Sequence, residues 1–320
     1  MKTISISTIM TLSALCTALC SGADDAKRPS DSILRRTFDL AAPRSSEPQA
    51  FEMETRVLTY ALDGKRVSTD VLKLSLTCTP GKEAGDADRY TCTRFAVQFG
   101  TGPEIELPAM AGWSYPFKHG GAGIDEKGQV FGIDHAKFEK LADANGKPLP
   151  VDKAYFVYNT FIDFHAFCNV FAEPVTEGKG IQDLKRLGDK IVHAAANTEA
   201  PVNLGAGIQK GSTFKNGEIT LEFKGLSLVD NAPCAVVAYD SGESSFQMIV
   251  TPMPNMEVRS VGSSHYKGDI YVDLATRWVR KATMDELVVT ETTVSGMANK
   301  INAVIERATT IRNVADNSQG

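Results

Sequence analysis

Tyr266-Lys267-Gly268-Asp269-Ile270-Tyr271-Val272-Asp273-Leu274 is the stretch that decides the fold. Ile270, Val272 and Leu274 fall on one side, and Lys267, Asp269 and Asp273 on the other. That two-residue period belongs to a strand with one buried face. Ala275-Thr276 reads as a turn, and a second strand spans 278–290. Its apolar parity slips at Asp285-Glu286, which predicts a bulge. A last strand follows over 303–312. One-faced strands joined by short turns predict an antiparallel meander.

The same period recurs upstream. Ile219, Leu221 and Phe223 alternate with polar neighbours, as do Phe246, Met248 and Val250. Asp240-Ser241-Gly242-Glu243-Ser244 lacks a Gly-x-Ser-x-Gly elbow and reads as a hairpin turn. Near the start, Phe51, Met53, Thr55, Val57 and Thr59 alternate with Glu52, Glu54 and Arg56. Asp63-Gly64 then supplies a hairpin signal. With strands over 67–79 and 90–100, a first three-stranded meander is predicted. Trp113, Tyr115 and Phe117 also alternate, and read either as core at a strand end or as a ligand-facing ledge.

Between the meanders the period changes. Asp134 can cap a helix over 135–144, with Gly146 beyond its end. Asp152 can cap a second over 153–172, which Pro174 ends. Tyr155, Phe156, Tyr158, Phe161, Phe164 and Phe167 make that helix apolar nearly all round, so it belongs in the core. Ile181, Leu184, Leu187 and Ile191 mark a third, amphipathic helix over 181–196, on which His193 can pair with Asp189 one turn earlier. The expected fold is α+β: one domain over 51–313, a curved antiparallel sheet covered by a helical insertion at 133–198.

The stretch 268–282 resembles a meander of secreted bacterial proteins, namely the half-barrel of periplasmic lipoprotein carriers. The chain as a whole also resembles secreted bacterial proteins. The carrier resemblance covers the C-terminal third and the first meander, and implies a sheet that shelters acyl chains beneath helices.

The N-terminus supports an extracytoplasmic address. Lys2 precedes an apolar run ending at Cys20, and Ser21-Gly22-Ala23 offers small residues for cleavage after Ala23, the pattern of a signal peptide over 1–23. Residues 24–50, with Pro29, Pro43 and Pro48, read as a flexible leader, and 314–320 as a disordered tail. The 320 residues are 42% hydrophobic and 23% charged with net charge −5, an ordinary globular balance that argues against nucleic-acid partners. No later run reaches the roughly 18 apolar residues of a membrane helix.

Four cysteines follow the signal: Cys78, Cys92, Cys168 and Cys234. An even number in an oxidising compartment predicts disulfides, with Cys78–Cys92 the local choice. Their opposite strand parities conflict with pairing unless a bulge lies near Cys92. None of the spacings suits zinc, and no cofactor motif occurs.

Asp163 and His165 are two positions apart on the aromatic helix and so face different ways. Asp163 instead shares a face with Asn159. Lys118-His119-Gly120-Gly121 lacks the ending of a phosphate loop. His265, Asp269 and Asp273 share a polar strand face but spread too far for one metal. No catalytic constellation emerges. The expected function is therefore non-enzymatic binding of a hydrophobic small molecule or lipid, with Asn159, Phe161, Asp163, Phe164 and His165 at the ligand. The alternatives are a hydrolase or metal enzyme assembled from Asp163, His165, His193 and His265, and a structural envelope module.

Overall fold

The computed structural model describes residues 35–82, 86–117, 133–138, 140–175, 178–193, 197–199 and 208–314. The chain divides into two units, Met1–Thr37 and Phe38–Gly320. The expected signal peptide, His119 and the tail beyond 314 lie outside the described residues.

The second unit is built on an unclosed, curved antiparallel sheet. The first meander is β1 (Gln49–Tyr60), β2 (Arg66–Thr79) and β3 (Asp88–Phe99), edged by β4 (Glu104–Glu106) and β5 (Ser114–Phe117). Short strands β6 (Lys190–His193), β7 (Asn197–Glu199) and β8 (Thr213–Lys215) precede the second set: β9 (Ile219–Val229), β10 (Ala232–Asp240), β11 (Ser244–Met253), β12 (Met256–Asp273), β13 (Val279–Val294) and β14 (Ile301–Asn313). The two meanders are one sheet, because β1 pairs with β14 over ten residue pairs from Phe51↔Asn313 to Tyr60↔Val304. The main order is β4-β3-β2-β1-β14-β13-β12-β10-β9-β6.

The sheet forks at β12. Its second half pairs with β10 and its first half with β11. Asp240–Ser244 is therefore not the expected hairpin turn: β10 and β11 run end to end along one partner. Ser241, wholly buried, carries the ladder across the junction, its backbone N–H donating to the Tyr266 carbonyl while its Oγ accepts from the Tyr266 N–H. Gly268 permits a close approach in β12, since a Cβ there would run into the Thr283 carbonyl.

The helical section is smaller than expected. Among the described residues there is one α-helix, α1 (Val151–His165), continued by a π-helical turn at Ala166–Val170. The helix predicted at 135–144 is a single 3-10 turn, His135–Phe138, with the Asp134 carboxylate accepting from the Ala136 N–H. The third helix is absent from the described residues of 181–196. Ile181–Asp183 forms one 3-10 turn, Gly188 adopts φ 89°, and Lys190–His193 pairs with β9 as a strand. Asp189 accepts from the Lys185 and Arg186 N–H groups and so holds a turn, in place of the expected helical pair with His193. Strand pairing of the β-branched Ile191-Val192 outweighs a helical spacing that Gly188 interrupts. No described helix is long and apolar enough to cross a membrane.

The core fills the face of the sheet that meets α1. Phe164 lies against Phe51 (5.2 Å between ring centres) and Tyr90 (5.7 Å). Phe161 lies against Phe95, Trp113, Tyr115 and Phe138, all within 6.1 Å. Tyr115 and Phe117 are buried, so that alternating run is core. Lys153 bonds to the buried Asp70, which also accepts from the Gly100 N–H, fixing the start of α1 to the β2–β3 end.

Two further expectations need correction. Residues 38–49 are not a free leader. Leu40 is buried, the Arg44 guanidinium lies 4.3 Å from the Trp278 ring, and the Trp278 indole N–H donates to the Ser45 carbonyl. Nor do the four described cysteines form disulfides: Cys78, Cys92, Cys168 and Cys234 are buried free thiols. A bulge between Ser75 and Leu76 does turn both Cys78 and Cys92 inward, but Cys78 sits opposite Tyr90 and Cys92 opposite Leu76. Such diagonal neighbours stand too far apart for a disulfide's Cβ spacing of about 3.8 Å. Burial pushes Cys78 and Cys92 up to about 12 and Cys234 to about 11, so none is a ready nucleophile.

Candidate functional site

Inward-facing positions on β13 run Ala282, Met284, Glu286, Val288, and on β14 Ile305, Arg307, Thr309, Ile311. No bulge occurs at Asp285–Glu286; the irregularity lies at Tyr271–Val272. What looked like a parity slip is a carboxylate facing in while Leu287 and Val289 face out, 48% and 45% exposed.

Glu286 stands opposite Arg307, which meets α1 at Asp163. Arg307 Nη1 donates to Glu286 Oε2 at 2.6 Å, while Nη2 donates to Asp163 Oδ2. Ser264 Oγ donates to Glu286 Oε1 at 2.7 Å. Side-chain exposures of 14% for Arg307, 9% for Glu286 and 18% for Asp163 place the trio at the margin of the core, within reach of solvent. Burial, with Glu286 adding to it against Arg307, pushes Asp163 up to about 6. Burial works against the charge on Arg307, but the two carboxylates more than offset it and hold the guanidinium ionised.

Phenols surround this centre. Tyr155 lies on α1 two turns before Asp163, and its hydroxyl feels Asp163, Glu286 and Arg307. Tyr266, opposite Glu286, donates from Oη to Asn216 Oδ1 at 3.2 Å. Tyr239 on β10 is 2% exposed, and its hydroxyl feels Asp163, Glu286 and Arg307 yet has no hydrogen-bond partner among the described residues. Half-buried Ile162, Ile305 and buried Val288 continue the lining.

The other predicted residues lie elsewhere in the interior. His165 is wholly buried, between Phe117 (stacked, 4.6 Å) and Tyr90. Its Nδ1 meets Asn169 Oδ1 at 2.9 Å and its Nε2 meets Tyr115 Oη at 2.7 Å. Asn169 Nδ2 already donates to Tyr90 and Glu173, so Oδ1 accepts and Nδ1 carries the proton. Tyr115 then donates to Nε2. Burial holds His165 down to about 3, so the ring is neutral. The network ends at Arg44, which contacts Glu173 at 2.6 Å and donates to the Cys168 carbonyl at 2.6 Å. It ties strand, π turn and the segment before β1 together.

His265 pairs with Asp240 at 2.8 Å beside a shallow outer-face depression of about 440 Å³. Asp273 is buried on Arg280 and accepts from the turn's N–H groups. Asp163, His165 and His265 therefore have separate partners. The side chain of His193 is outside the described residues. Among the described residues no group of three or more His, Cys, Asp or Glu could hold a metal. Of the sequence-predicted set, Asn159 and Asp163 join the margin site, whereas Phe161, Phe164 and His165 are packed against protein.

No family model matches the chain, and no curated protein matches it. Among solved structures, the Salmonella typhi OmpF complex with daunomycin is similar at 8% identity, over 83% of this chain and 97% of that one, with a TM-score of 0.18. So distant a likeness carries no argument.

Asp163 and His165 oppose each other in acid. Asp163 titrates higher folded (about 6) than as a free carboxyl (3.8), so its cost is full above pH 6 and relieved as pH falls towards 4. His165 titrates lower folded (about 3) than free (6.5), so stability it confers is present above 6.5 and lost as pH falls. Asp163→Asn removes the first trend only. Between pH 6 and 4 the variant's urea midpoint should fall more steeply than that of the parent; parallel profiles would refute this assignment.

Proposed function

We propose that this chain is an extracytoplasmic, non-enzymatic binding protein that holds a hydrophobic molecule by one polar end between α1 and the curved sheet. The observation that carries the reading is the Asp163–Glu286–Arg307 centre with the unpartnered Tyr239 hydroxyl beside it. Polar groups converging at the margin of an apolar lining are the usual make-up of a small-molecule site. Ile162, Ile305 and Val288 supply apolar surface next to that centre. The signal-like segment at 1–23 supports the address.

The phenol-rich margin replaces the buried rings of α1 as the place for the ligand, because Phe161 and Phe164 are saturated with protein contacts. A neutral dye whose emission rises in apolar surroundings, N-phenyl-1-naphthylamine, tests the reading. Its fluorescence should rise on adding protein and lose most of that rise with Ile305→Asp, at unchanged circular dichroism. No rise with the parent chain would remove the binding reading and leave the structural-module alternative.

A further inference from the structure

We propose that the Asp163–Glu286–Arg307 centre receives the ammonium group of a cationic amphiphile, its charge against Asp163 and one N–H donated to Tyr239 Oη. This names the ligand class for the binding reading above and rests on it.

The argument begins with charge. Two carboxylates share one guanidinium, so the trio is one positive charge short. The charged groups acting on Asp163 are Arg307 from β14 and Glu286 from β13. The other titratable groups facing it are Tyr155 on α1, Tyr239 on β10 and Tyr266 on β12, all neutral at pH 7. An uncompensated negative charge at the margin of a core is costly, and a cation relieves it.

Hydrogen bonding narrows the cation. Both oxygens of Glu286 already accept, one from Ser264 and one from Arg307. Asp163 accepts from Arg307 through Oδ2, which leaves Oδ1 to accept. Tyr239 Oη, buried and unpartnered, can accept as well. An ammonium has three donors and no acceptor, which matches two waiting oxygens. A carboxylate or phosphate head would meet the excess negative charge instead, and an alcohol would leave that charge uncompensated. Ile162, Ile305 and Val288 give the attached chain its apolar surface.

Calorimetric titration of the full chain with octylammonium chloride, 1-octanol and sodium octanoate, probes of one tail length, is the test. At pH 7.5 octylammonium should bind about tenfold or more tighter than the other two. Asp163→Asn should abolish the preference. Tyr239→Phe keeps the ring, so it should weaken octylammonium several-fold without lowering the urea midpoint, a readout that a purely structural tyrosine would move. Near pH 6 binding should release protons as the ligand displaces them from Asp163. Octanol or octanoate binding as tightly as octylammonium overturns the cationic class while the binding reading stands. A preference that survives Asp163→Asn overturns the assignment to this centre. No binding by any of the three removes both.

Discussion

Arg307→Met should lower the stability of the chain by about 3 kcal/mol at pH 7, the lower end of what removing one partner of a buried ion pair costs. The low end applies because all three side chains keep some exposure, 9–18%. The loss arises from two carboxylates left facing each other without their cation. It should therefore shrink as pH falls and they protonate. A Met side chain replaces much of the apolar stem of Arg307, so missing volume is a minor part. Combining Arg307→Met with Asp163→Asn and Glu286→Gln should recover most of the deficit, because no ionised group is then stranded. Urea denaturation at pH 7 and pH 5 reads each of these. A loss below about 0.5 kcal/mol would mean that the trio behaves as a solvated surface bridge.

Phe161→Ala should cost about 3–5 kcal/mol, the range for deleting a large ring from a packed core. The ring is wholly buried and touches four others: Phe95, Trp113, Tyr115 and Phe138. Those contacts join β3, β5 and the 3-10 turn through one side chain. Were Phe161 a ligand-facing residue, truncation would spare stability and abolish binding. Equilibrium unfolding separates the two, and a change under about 1 kcal/mol would contradict its place in the core.

The sequence displayed the strands best where alternation was unbroken. Phe51 to Thr59 and Tyr266 to Leu274 each carry one apolar face, and both are strands, β1 and β12. What alternation could not reveal is pairing between distant segments. The β1–β14 ladder spans almost the whole chain, and the end-to-end arrangement of β10 and β11 depends on the length of β12. The false third helix shows the same limit: Ile181, Leu184, Leu187 and Ile191 fit a helical period, but a partner strand settles the matter.

The site was half legible. Asn159 and Asp163 stood out as a polar stripe on an apolar helix. Their partners were hidden in plain view, since Glu286 interrupts an apolar parity and so reads as a bulge. Arg307 sits between Ile305 and Thr309 on an inward face, where a charge was a signal in its own right. An inward charge on each of two strands, with a third on the helix above, is the pattern that would have found the centre.

Native mass spectrometry of the full chain, purified without detergent from the cells that make it, tests the central claim most directly. A bound amphiphile should travel with the parent chain, be released on collisional activation, and be missing from Ile305→Asp prepared in the same way. A parent chain that flies clean at its bare mass would contradict a binding function.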